Sequence, residues 1–247
     1  MLNLKSTAGV ANTEIPSSCQ KKSSLLHPLL TCLCLSSLSV PAFSQDWVPV
    51  YEEPKHQLVF ENDDVMILNV DLPPGYESLY HQHLLDVLYV TVSGTQVFAQ
   101  PLNGEKRVAD VKTGDLRFSS DNHDLPHIHR VGNIGTAPFH IIGVGVKGDI
   151  SEKLEPVEGD MQGVQMVDEK PNARVYRISL KPGEKSGLHQ HNLPFTRVYL
   201  SAGEVRDETG DAAVVKAGEF LWQKDSEGHR YENVGDEMIE IVEVQSR

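Results

Sequence analysis

Cysteine is nearly absent from this chain, and its placement decides what it can do. All three cysteines (Cys19, Cys32, Cys34) fall within the first 44 of 247 residues. The remainder can form no disulfide and offers no thiolate nucleophile or thiolate metal ligand. Basic charge is also short, with 22 Lys and Arg against 35 Asp and Glu. Setting aside Lys5, Lys21, Lys22 and Glu14 leaves 19 basic and 34 acidic residues in 45–247, a net charge of −15. No basic run offsets this, so nucleic acid and anionic membrane surfaces are excluded as partners. No long segment keeps a 3.6-residue apolar period, and no apolar run is long and unbroken enough to span a bilayer.

The first 44 residues read apart from the rest. Lys21 and Lys22 precede a mostly apolar stretch from Leu25 to Val40, and Ala42 and Ser44 place small residues before Gln45. Basic, apolar and small residues in that order are the pattern of a secretory signal peptide. The expectation is removal after Ser44 and a periplasmic or secreted protein. An organelle transit peptide and an unstructured extension are the alternatives. The rest divides into residues 45–150 and 151–247. The Glu-, Asp-, Gly- and Pro-rich segment from Gly148 to Gly163 connects them.

Short apolar or alternating runs dominate both parts: Val65 to Val70, Val87 to Val92, Phe139 to Val146, Ala173 to Leu180, Val198 to Ser201 and Met238 to Val244. Turn residues punctuate them closely, including Pro73-Pro74-Gly75 and Lys181-Pro182-Gly183. This is the pattern of antiparallel sandwiches and barrels, and it predicts an all-β fold.

Two stretches repeat at a spacing of 108 residues. Gly75, His81 and His83 are answered by Gly183, His189 and His191, and Gly94 by Gly203 one residue further on. A third histidine follows in each copy, His129 with Asn133 and His229 with Asn233. Alternate residues of a strand face one side, so each His-x-His pair can share an interior with a histidine from a neighbouring strand. Three imidazoles on one side of an ion leave the other positions open, as catalytic metals require. His127 also lies two residues from His129 and competes as the third donor; the asparagine spacing favours His129. His123 and His127 are expected on a loop inserted near Asp121 to Leu125. His56 and His140 carry no argument for function.

With both motifs in both copies, residues 58–247 resemble the cupin superfamily, and specifically a bicupin. The resemblance implies two tandem cupin-type jelly-roll β-barrels, each with a metal in its mouth held by His81, His83 and His129 or by His189, His191 and His229. The glutamate of the cupin motif falls on Val87 in copy one and Thr196 in copy two, so each site is expected to be three neutral imidazoles with no carboxylate. Asp86 is adjacent to Val87, but strand alternation points it away. Such sites resemble those of the thiol dioxygenases and the diketone-cleaving dioxygenase. The implied cofactor is a divalent transition metal, iron foremost, with zinc, manganese, nickel or copper as alternatives. The implied partner is a small-molecule ligand of a monomer or homodimer.

Tyr89, Arg117, Arg197, Tyr199 and Trp222 lie on barrel strands and are candidates for lining a pocket. Arg197 and Tyr89 lead as substrate-binding residues. An inward Arg197 could hold a carboxylate in a bidentate pair, and an outward one pairing with the acidic surface is the equal alternative. The functional expectation is a metal-dependent dioxygenase. A ligand-binding scaffold without catalysis is the alternative, and sugar or acid isomerase or lyase chemistry is a third.

Overall fold

The structure is a computed structural model and describes residues 46–120, 125–148, 154, 157–208, 210–224 and 227–246. The leader expected at 1–44, His123 and most of the 121–125 loop lie outside the described residues.

The first half contains β1 (Val48–Pro49), β2 (His56–Glu61), β3 (Val65–Leu72), β4 (His81–His83), β5 (Asp86–Ser93), β6 (Gln96–Pro101), β7 (Arg107–Asp110), β8 (Leu116–Ser119), β9 (His127–Asn133) and β10 (Phe139–Val146). The second contains β11 (Glu158–Gly159), β12 (Val164–Lys170), β13 (Ala173–Leu180), β14 (His189–Gln190), β15 (Phe195–Tyr199), β16 (Gly203–Arg206), β17 (Ala212–Val215), β18 (Phe220–Gln223), β19 (Glu232–Asn233) and β20 (Ile239–Ser246). Each half has one five-stranded sheet of matching order, β2-β3-β10-β5-β8 and β12-β13-β20-β15-β18. The opposing sheet is β1-β4-β9-β6-β7 in the first half. In the second it is divided into β17-β16-β19 and β11-β14, joined by a bridge between His189 and His229. The fold is all-β, as expected, and jelly-roll in character.

The matching sheets bury both faces. On β3, Val65 and Ile67 point one way while Leu68, Val70 and Leu72 point the other. On β10, Ile142, Val144 and Val146 oppose Phe139 and Ile141. On β20, Val242 and Val244 oppose Ile239 and Ile241. One face of each sheet lines its own half. The other faces meet in a core shared between the halves, built from Val65, Ile67, Leu88, Val90, Ile142 and Val144 against Ala173, Val175, Val198, Leu200, Val242 and Val244. That double burial is why these strands read as near-continuous apolar runs rather than alternating ones. Each fully buried aliphatic side chain there contributes roughly 1.5–3 kcal/mol. Asp86 leaves the histidines and accepts a hydrogen bond from Asn172 of the other half at 3.1 Å. The two halves accordingly form one compact unit.

The motif asparagines are structural. Asn133 donates through Nδ2 to the carbonyls of Leu72 and Ala137, and Asn233 to those of Leu180 and Glu237. Their carbonyls accept the amides of Gly75 and Gly183, both at 2.9 Å. Those glycines sit at φ 81° and 77°, which favours glycine. The asparagine thus ties the turn before each His-x-His to the strand end that follows the third histidine.

Because the core is shared, unfolding should be a single event. Leu88→Ala should cost about 2–5 kcal/mol. Denaturant titration should displace one transition, coincident when followed by Trp47 alone or Trp222 alone. Two transitions, only one of them displaced, would show that the halves fold independently.

Candidate metal centres

In the first half, β4 and β9 are antiparallel neighbours, with His81 opposite His129 and His83 opposite His127. His81, His83 and His129 converge, each offering a ring nitrogen within 4.8 Å of the others. Two donors sharing one ion at about 2.0–2.2 Å are at most about 4.4 Å apart, so the three nitrogens are gathered at the scale of a coordination shell. His81 Nδ1 donates to the Leu79 carbonyl at 3.0 Å. This fixes the tautomer and leaves Nε2 as the lone-pair nitrogen. His81 Nε2 and both nitrogens of His83 are buried without a hydrogen-bond partner. Buried polar atoms rarely stay unpaired, and a cation satisfies such nitrogens.

His127 is on strand β9, not on the inserted loop, and its Nε2 meets His129 Nδ1 at 3.0 Å. It backs the third donor rather than replacing it. His56, which the sequence left without a role, packs its ring 4.3 Å from that of His81. Its Nδ1 lies 2.5 Å from Glu53 Oε2, and Glu53 also accepts from the Tyr76 hydroxyl and the Lys55 amide. Burial pushes the Glu53 carboxyl up, but the His56 contact and the other hydrogen bonds outweigh it and bring its pKa to about 2. An ionised carboxylate therefore stands behind His56. Burial and the neighbouring imidazoles push His81 down to about 3, and push His83 and His129 well below the usual histidine range.

The second half corrects the expectation of a carboxylate-free site. His189, His191 and His229 are joined by Glu243 of β20. Glu243 Oε2 lies 3.0 Å from both His189 Nε2 and His191 Nε2, and Oε1 lies 2.9 Å from His229 Nε2. Tyr231 donates its hydroxyl to the same carboxylate, and Arg197 Nε is 3.9 Å away. Burial raises the Glu243 carboxyl, but the three imidazoles beside it hold it well below the usual range. His189 Nδ1 meets the Gly187 carbonyl at 3.1 Å, repeating the His81 arrangement. Burial lowers the His189 pKa, yet Glu243 raises it further, for a net rise.

The register shows where the motif's glutamate position lies. Val87 pairs with Gly145, and Phe195, not Thr196, pairs with Gln245. Thr196 pairs with Val244 and shares its face with Val198 of the shared core. The extra residue of the longer spacing thus falls after this position, and Phe195 takes it, stacking on His191 at 4.2 Å. Glu243 was readable by parity. With Ile239 and Ile241 facing inward, residue 243 must too, and its counterpart in β10 is Gly143.

Arg197 points inward, resolving the two sequence alternatives. Its guanidinium lies 4.5 Å from the Tyr231 ring centroid, with Nη2 donating to Gln223 at 3.1 Å. Tyr89 also lies inside its half, its ring 6.1 Å from that of His83. Arg117 is exposed, and Trp222 packs on the shared core, away from the centres. His140 bonds Asn69, also outside both centres.

The imidazoles of the first centre favour the neutral form in the fold, whereas the unfolded chain takes up protons below about pH 6.5. Stability from these groups is therefore full above that value and is lost as pH falls toward 3. Glu243, with its lowered pKa, acts in the same direction; His189, with its raised one, opposes. Thermal unfolding of metal-free protein should show Tm falling from about pH 6.5 downward. A flat profile between about pH 7 and 4 would contradict the burial of the first centre.

No protein-family model matches the chain. A 74-residue segment, 29% of the chain, is 35% identical to an oxalate-binding protein of Thermotoga maritima and spans 61% of that protein's length. Among solved structures, AerE from Microcystis aeruginosa matches with a TM-score of 0.58 at 14% identity, over 81% of this chain and 96% of that one. A variant of oxalate decarboxylase from Bacillus subtilis matches with a TM-score of 0.52 at 16% identity, over 75% and 69%. At these identities the structural likeness is one of fold. Tandem jelly rolls, each setting His-x-His against a third histidine on the adjoining chain segment, are the fold that the resemblance to the bicupins implies.

Proposed function

We propose that this bicupin is a metal-dependent enzyme of dioxygenase type acting on a small organic anion, with a divalent transition metal in each half. The observation that carries the reading is the first centre. Three convergent imidazoles present buried, unpaired nitrogens at His81 and His83 and stay neutral over the physiological range. The donors fit a divalent ion: nitrogen ligands, one tautomer fixed by a carbonyl, and His127 oriented behind His129. A bound metal would supply Lewis-acid chemistry and, if iron, one-electron chemistry toward O2. Iron remains the first choice for the oxygenase reading. Manganese gains support from the Bacillus subtilis decarboxylase, described as holding Mn(II) centres. A small carboxylate ligand gains support from the oxalate-binding relative.

The chain's own residues divide the work. Tyr89 and the walls around His83 position the ligand and exclude water. In the second half Glu243 puts a negative charge among the donors, where the first half has none, and Arg197 offsets it from the side. Export belongs to the same proposal and rests on residues 21–44. N-terminal sequencing of native protein should begin near Gln45, and an intact Met1 would refute it.

One observation favours a scaffold role for the second half. Glu243 already accepts from all three imidazoles and from Tyr231, so the cage closes on hydrogen bonds alone. Metal analysis after loading and gel filtration decides between the readings. Two ions per chain, falling to one in His191→Ala, is the expected result. One ion per chain, unchanged in His191→Ala and lost in His81→Ala, would make the second half a scaffold. No ion in either protein would end the enzyme reading. For the oxygenase step, iron-loaded protein should consume O2 only when a chelating acid is added.

A further inference from the structure

The halves are copies, so inward positions that differ between them show what each centre has been shaped to admit. Three such positions lie on adjoining strands beside the histidines. In the second half they are Phe195, Glu243 and Gln245, all buried. Phe195 stacks on His191 and lies 5.0 Å from the His229 ring at an interplanar angle of 6°. In the first half the register places Val87, Gly143 and Gly145 at the same positions.

The volume removed is not refilled. A cavity of about 180 Å³ lies beside Val87 and Gly145, lined by His83 and Gln82 and by the apolar Trp47, Met66, Leu68 and Leu85. Gly145 leaves that wall open. A Cβ there would come within 3.2 Å of both Leu85 Cδ1 and the Met66 carbonyl. One liquid water occupies about 30 Å³, so the space takes roughly six groups of that size.

We propose that the first centre is the ligand site and that it takes a metal-chelating carboxylate carrying a short aliphatic chain, with the chain in the cavity beside His83. This rests on the metal reading above and names its substrate class. Three neutral imidazoles leave a divalent ion its full charge, which draws an anionic, chelating head. Beyond His83 and Gln82 the lining is mostly apolar, which selects the tail. Oxalate, with no tail, would leave the cavity unused.

The test uses the whole chain loaded with Mn(II), its metal content measured on the same sample. Calorimetry follows binding of straight-chain 2-oxo acids of increasing length, with oxalate for comparison. Affinity should rise about fourfold per methylene until the cavity is full and then level off. Trp47 fluorescence should change with the longer acids and not with oxalate. Val87→Phe reproduces the second half's blockade. It should keep its metal and lose the dependence on chain length, with the longer acids weakened at least tenfold. Metal-loaded protein whose affinity ignores chain length, or a Val87→Phe variant with the same chain-length series, overturns this inference and leaves the metal reading intact. Absence of bound metal overturns both. If Val87→Phe does not fold, the chain-length series and the Trp47 signal of the unaltered protein decide alone.

Discussion

The shared apolar core constrains everything else in this molecule. β3 and β10 of one half, and β13 and β20 of the other, must satisfy two interiors at once. One face meets the partner sheet and the other lines the half's own centre. A strand in that position has few solvent-facing residues, Asp71 and Ser179 near the strand ends, over which to distribute polar groups. Every side chain is therefore assigned by parity, and slipping by one residue would exchange the two interiors. The centres inherit their definition from this arrangement. Gly143 faces the interior of its half and Glu243 meets the histidines because Ile142, Val144, Val242 and Val244 are held in the shared core.

That dependence explains what could be read from sequence. The His-x-His pairs were legible because parity on a single strand suffices to put His81 with His83. The third histidines were legible because the asparagine that follows each one performs a local, repeated task at the turn containing Gly75 or Gly183. Glu243 was equally a matter of parity, within Ile239–Ser246, but its significance depends on comparing it with Gly143 across the repeat. Thr196 was misassigned because one extra residue between His191 and Gly203 could fall on either side of the motif position; only pairing with β20 puts Phe195 there. Glu53 and His56 were not legible. His56 opens β2 in one sheet and His81 opens β4 in the opposing sheet, so they meet only where the two sheets face each other, and no local spacing encodes it.

The two centres also handle charge differently. Both have an ionised carboxylate nearby. In the second, Glu243 touches all three imidazoles directly and faces Arg197, so the acid and the guanidinium largely offset each other. A buried carboxylate of this kind is tolerated only when fully hydrogen-bonded, and His189, His191, His229 and Tyr231 provide that. In the first, Glu53 sits behind His56 and reaches the donor histidines only through space, where it favours protonation of His81 against the stronger effect of burial.

A carboxylate among the donors reduces the charge a metal shows to an incoming ligand, whereas one held behind a neighbouring ring leaves most of that charge exposed. The same half that withholds the acid also replaces Phe195 with Val87 and Gln245 with Gly145. Loss of negative charge and loss of bulk thus coincide at one centre, while acid and bulk coincide at the other. Duplication alone would leave two equivalent sites. Substitution at three inward positions of a common scaffold, each licensed by the parity that the shared core enforces, is enough to make one centre open to a ligand and the other closed around its own side chains.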